Sequence, residues 1–125
     1  MTIDQAIALC DELRPNSYSR ELKIGWLGKL DGRIFRELLM THADCPMDSF
    51  AGYDDTTDGG TQLLVPAPYC DDIYNYFLQA QIDKENGETT RYNQSITMYN
   101  SAFRAYENHY HRCHLPLSAG QRFVF

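Results

Sequence analysis

Residues 92–110 read YNQSITMYNSAFRAYENHY, and within them Tyr92, Ile96, Tyr99, Phe103, Tyr106 and Tyr110 recur at alternating steps of four and three. Such spacing brings positions onto one face only in a helix, so the stretch predicts a long helix with an aromatic seam. A seam built mainly of tyrosine combines large apolar faces with hydroxyls that need partners, which suits surfaces that meet other surfaces. Tyr99 and Tyr106 are therefore candidate contact residues, and the pattern points to an assembly part rather than to an enzyme.

Immediately upstream, Tyr69, Ile73, Tyr76, Phe77, Ala80 and Ile82 fall at near-helical spacing and predict a helix from Tyr69 to Glu85. Asn86-Gly87 supplies a tight reversal, so these two tyrosine-rich helices are expected to form a long antiparallel hairpin. Before the hairpin, Thr61 to Val65 can form a short strand stopped by Pro66 and Pro68. Residues 43–60 are rich in Asp, Gly, Pro and Thr and carry no sustained apolar period, which predicts a long, exposed, acidic loop.

Toward the N-terminus, Thr2 and Gln5 have capping-box spacing, and Ile3, Ala6, Ile7, Cys10 and Leu13 form one apolar face ended by Pro15 and Asn16. A second helix, capped by Ser17 or Ser19, carries Leu22, Trp26, Leu27, Leu30, Ile34, Phe35, Leu38 and Leu39 through about Thr41. Asp31-Gly32 inside it also fits a hairpin turn, but the step-of-four pattern crosses the glycines without a change of phase, which favours the helix. Gly25, Gly28 and Gly32 are then positions where another helix can approach closely, and Trp26 belongs to a core stripe.

The fold class that follows is mainly α: a single domain, 1–125, built as a bundle of about four helices with one or two short strands. Residues 117–125 form a tail that closes on Arg122-Phe123-Val124-Phe125. Phe123, Val124 and Phe125 either add to the Thr61 to Val65 strand, where Leu63, Leu64 and Val65 are candidate contacts, in the same or a neighbouring subunit, or fold back onto the chain's own helices.

Charge and composition narrow the function. Eleven Lys and Arg against seventeen Asp and Glu give a net charge of −6, and no basic cluster is present, so specific nucleic-acid binding is not expected. No run approaches the roughly 20 apolar residues of a membrane span, and Met1-Thr2-Ile3-Asp4 lacks the start of a signal peptide. Cys10, Cys45, Cys70 and Cys113 form no C-x-x-C pair and read as free thiols.

Candidate chemistry is sparse. His109 and Cys113 stand four apart, share a helical face and are zinc-ligand types, whereas His111 points elsewhere; a closed site would need further ligands, for which His42, Cys45 and Cys70 are the remaining candidates. Asp54-Asp55-Thr56-Thr57-Asp58-Gly59 opens like a calcium loop, but Val65 stands where a bidentate Glu belongs, so a solvated acidic turn is expected. Asp71-Asp72 suits the start of a helix. Ser17, Ser19, Ser49, Ser95, Ser101 and Ser118 lie in no nucleophile motif. Neither an active site nor a cofactor is expected.

Leu64-Val65-Pro66-Ala67-Pro68-Tyr69, Ala80-Gln81-Ile82-Asp83, Asn86-Gly87-Glu88, Tyr92-Asn93-Gln94-Ser95 and His114-Leu115-Pro116 together resemble small structural proteins from the head and tail gene clusters of tailed phages and prophages. More loosely, the chain is similar to helical head-to-tail connector (adaptor) proteins. The stronger part covers Leu63 to Pro116, with Trp26-Leu27 and Asp31-Gly32-Arg33-Ile34 as further support. The resemblance implies a non-enzymatic virion protein, assembled in the bacterial host cytoplasm, that self-associates as a ring and docks on portal or tail proteins. An intracellular helical interaction module is the alternative, and a small metal-dependent enzyme ranks below it.

Overall fold

The computed structural model describes residues 1–114 except 44 and 46. Four helices follow in order: α1 (Ile3–Leu13), α2 (Arg20–Ile34), α3 (Cys70–Glu85) and α4 (Thr89–Cys113). The mainly α bundle expected from periodicity is the fold observed.

Local signals set the helix starts. At α1 the Thr2 hydroxyl accepts from the Gln5 N–H at 3.2 Å while the Gln5 side chain accepts from the Thr2 N–H at 2.9 Å, so the capping box forms. Of the α1 face, Ile3, Ala6, Ile7 and Cys10 are buried, but Leu13 is exposed. Ser19, not Ser17, caps α2 by accepting from the Leu22 N–H at 3.2 Å. The helix then crosses Asp31-Gly32 without a turn and widens into a π-helical turn over Phe35–Leu39, where the Met40 N–H reaches the Phe35 carbonyl at 2.8 Å. That widening keeps Phe35, Leu38 and Leu39 in the core as the apolar stripe ends. Trp26 is buried, edge-on to Tyr18, as a core residue.

Two expectations need correction. Residues 61–65 form no strand; they make one isolated antiparallel bridge, Thr2 to Gln62. Their N–H groups turn inward, because Leu63 donates to the Met1 carbonyl, Leu64 to the Asp31 carboxylate and Val65 to the Tyr74 hydroxyl. Nor is the 43–60 loop exposed throughout. Phe50 packs on Phe35 at 6.2 Å and on Tyr53 at 5.2 Å, which pins the middle of the loop to α2.

Gly28 shows how that contact is possible. A Cβ there would sit 3.1 Å from the Tyr53 backbone nitrogen, so it is the loop, and not a second helix, that makes the close approach. Gly25 faces open space. Replacing Gly28 by Leu should lift the Phe50–Tyr53 segment from α2 and destabilise the chain by about 1–3 kcal/mol, read by urea unfolding.

The hairpin forms as the turn chemistry predicts. Gly87 adopts φ +73°, the left-handed conformation that favours glycine, and α4 returns along α3. The tyrosine seam faces inward: Tyr99 meets Phe77 at 5.5 Å, and Tyr106 meets Tyr69 at 5.6 Å and Tyr110 at 5.9 Å.

Candidate interaction surface

Burial redistributes the candidate contact residues. Leu63, Val65, Tyr99 and Tyr106 are all buried in the core, although Leu63 and Tyr106 also edge the groove at the end of α4. The hairpin itself consumes the seam, since α3 supplies the apolar partner that the spacing requires. Leu64 alone of that set remains partly exposed, while Phe123, Val124 and Phe125 lie outside the described residues. Among the described residues no hydrogen bond of normal geometry reaches the buried Tyr99 hydroxyl; burial raises its pKa while the nearby Arg33 guanidinium opposes that shift.

Among the described residues, two of the accessible surfaces lie along or at the end of α4. The first is the side of α4 opposite the seam, where Asn93, Thr97, Asn100, Ser101, Ala105 and Asn108 are exposed along the helix. Arg104 is the one charged residue among those that line this strip, and none is Lys, Glu or Asp, the charged types that interface cores deplete. The seam drew attention to the opposite face; the signal for this one was the four-step repeat Thr97, Ser101, Ala105.

The second surface is a groove of about 430 Å³ between the end of α4 and residues 62–66. Met47, Leu64, Pro66, Tyr106, Tyr110 and His114 contribute to its largely apolar wall, with His109 and Gln62 at polar positions.

A histidine contact fixes the α4 end of this groove. His42 is buried in the turn after the π-helical segment, with Nδ1 2.6 Å from the Leu38 carbonyl, an acceptor, so Nδ1 carries the proton. Its Nε2 lies 3.0 Å from Nδ1 of His111, and its ring meets Tyr110 edge-on at 4.7 Å. Tyr110 stacks on His114 at 3.8 Å. His111 does point away from His109, as spacing implied, but toward His42, a partner 69 residues distant.

His109 and Cys113 share a face, with Cys113 Sγ 3.6 Å from His109 Nε2. They remain two ligands: among the described residues no group of three or more His, Cys, Asp or Glu is arranged to hold a metal ion. His42 joins His111, Cys45 donates to the Met47 carbonyl, and Cys70 is buried at the start of α3. All four cysteines are unbridged. Burial pushes the Cys10 thiol up to about 12 and raises Cys70 as well, so both stay protonated and poorly nucleophilic. The acidic turn satisfies itself: the Asp54 carboxylate accepts from the Thr56 N–H at 2.9 Å and the Thr56 hydroxyl at 2.6 Å, which lowers its pKa.

Two buried carboxylates escaped sequence reading. Asp31, fully buried in α2, accepts from the Tyr53 hydroxyl at 2.6 Å, the Tyr74 hydroxyl at 2.6 Å and the Leu64 N–H at 3.1 Å. It thus joins α2, α3, the loop and the 61–65 segment that walls the groove. Burial raises its pKa against the opposing pull of these three hydrogen bonds. Asp83, also fully buried, pairs with Arg14 and accepts from the Ser95 hydroxyl at 2.9 Å, joining α3 to the end of α1 and to α4. Arg14 also donates to Gln79 at 3.1 Å.

The fold and these surfaces define the class as a small all-α bundle with a helical hairpin, an open helix face and an end groove. Comparison with known proteins found no matching family model, no matching curated protein and no matching solved structure. Among the described residues no helix is long and apolar enough to cross a membrane.

Proposed function

We propose that the chain is a non-enzymatic virion-assembly protein of a tailed phage or prophage, a head-to-tail connector that associates with copies of itself into a ring and docks on portal or tail proteins. The observation that carries this reading is the open, charge-poor face of α4, a 25-residue helix packed on α3 by its seam and exposed along its other side. Interfaces favour such depletion of charge, and a helix of this length offers a continuous edge for a neighbouring copy. In a ring each subunit presents that face to a different surface of the next, a heterologous contact that closes by rotation. The motifs of Leu63 to Pro116 that resemble phage head and tail proteins support the same reading. Assembly would take place in the bacterial host cytoplasm and the product would sit in the virion.

The test is a double substitution, Thr97→Arg with Ser101→Arg, at exposed positions that the core does not use. Self-association measured by sedimentation should weaken at least tenfold while helical content by circular dichroism stays unchanged. Equal association of variant and parent would overturn the role of this face. The end groove favours a second reading, an intracellular helical module that binds one partner segment there.

A further inference from the structure

We propose that two copies of the chain share one zinc ion, each giving His109 and Cys113 from the last turn of α4, so that four donors close a tetrahedral two-cysteine, two-histidine centre. Each chain carries half of the site, and the site is incomplete without the second copy.

The pair has the bite of a chelate. Residues four apart on a helix face the same side, and His109 Nε2 stands 3.6 Å from Cys113 Sγ. A zinc ion held about 2.0–2.1 Å from nitrogen and about 2.3 Å from sulfur sets two tetrahedral donors about 3.5 Å apart, so the ion enters with little side-chain movement. Cys113 is exposed, while His109 is half-buried with its ring 5.2 Å from that of Tyr69, a contact that limits the orientations of the imidazole. The sulfur is thus open to a second molecule and the nitrogen is held in place.

Among the described residues no third ligand of the same chain joins this pair. Cys10 and Cys70 are buried, the Cys45 thiol donates to the Met47 carbonyl, and His114 Nδ1 lies 3.0 Å from the Tyr110 carbonyl. His42 Nε2 and His111 Nδ1 already satisfy each other at 3.0 Å, so an ion between them would displace a formed hydrogen bond. Outside the described residues the sequence holds a single further His, Cys, Asp or Glu, Asp44. A second copy supplies both missing donors at once, and they are the nitrogen and thiolate types that zinc prefers. On binding, each Cys113 gives its thiol proton to solvent, and the two thiolates balance the dication, so the centre adds no net charge where two chains of −6 meet. The contact is isologous, unlike the heterologous contact of a ring, and the inference therefore stands apart from the connector reading.

The experiment titrates the reduced, metal-free chain with zinc chloride in a calorimeter and follows its mass by sedimentation, in the parent and in the Thr97→Arg, Ser101→Arg background. One zinc should bind per two chains, and in the double-arginine background it should double the mass from one subunit to two, reversibly with EDTA. Cys113→Ser and, separately, His109→Ala should each weaken binding at least a hundredfold with helical content by circular dichroism unchanged. Cobalt(II) in place of zinc should give sulfur-to-metal charge-transfer absorption that Cys113→Ser removes. Asp44→Asn should bind as the parent does; a hundredfold loss there would close the site within one chain and overturn the proposal. Full affinity in Cys113→Ser with loss in His111→Ala would move the ion to the His42 pair, again overturning it. So would one zinc per chain without a change of mass, or no binding by the folded parent. Because the double-arginine background removes the ring contact, failure of the connector reading and failure of the zinc site give different results.

Discussion

Replacing Asp31 by Ala should lower the unfolding free energy by about 3–5 kcal/mol, a large share of the roughly 5–15 kcal/mol that holds a domain folded. The carboxylate is the common acceptor for the Tyr53 and Tyr74 hydroxyls and the Leu64 N–H, and alanine leaves these donors without it. Each buried donor without a partner costs about 1–3 kcal/mol, offset in part because a buried charge is also removed. Asp31→Asn should cost less, since the amide keeps the shape and one acceptor oxygen but turns an NH₂ toward at least one donor. Urea unfolding measures both.

The same pair gives a pH test. Because burial holds the Asp31 pKa above the ordinary carboxylate value of 3.8, the folded chain keeps this proton to higher pH than the unfolded chain. Its contribution to stability is thus complete below 3.8 and lost as pH rises through the folded-state value. The stability of the parent relative to Asp31→Asn should fall with rising pH across that window and then level off. A difference that grows with pH would contradict the assignment.

The second large effect is at Arg14. Arg14→Ala should destabilise by about 3–5 kcal/mol, because it leaves the fully buried Asp83 with the Ser95 hydroxyl as its remaining side-chain partner. Much of that loss is the penalty of an uncompensated charge rather than the worth of the pair. Accordingly, Arg14→Met combined with Asp83→Leu should recover most of it, since apolar replacement of a whole buried pair is often neutral or better. Urea unfolding of the single and double variants separates the two terms. Equal loss in both would show that the ion pair itself, and not the orphaned carboxylate, carries the stability.

What could be read from the chain, and what could not, divides along sequence distance. The capping box of Thr2 and Gln5, the Ser19 cap and the Asn86-Gly87 reversal are local, and each determines its helix end without help from the rest of the fold. Asp31 was invisible because its partners lie 22, 33 and 43 residues away, and a lone aspartate within a helix reads as solvent-facing. The tyrosine seam gave the right helix and the Asn86-Gly87 reversal its neighbour, but neither showed that Tyr99 and Tyr106 would be buried. Periodicity identifies an apolar face but not what covers it, and α3 covers this one. The 61–65 segment failed as a strand for a similar reason: with its N–H groups claimed by Met1, Asp31 and Tyr74, no ladder forms. His42 and His111 meet across 69 residues that no motif spacing connects.

The most direct test of the proposed function is the solution mass of the purified 14.4 kDa chain, measured by light scattering across a wide concentration range. A self-associating ring protein should climb with concentration to a plateau at a fixed multiple of the subunit mass. A mass that stays at one subunit throughout, or grows without a plateau, would contradict it.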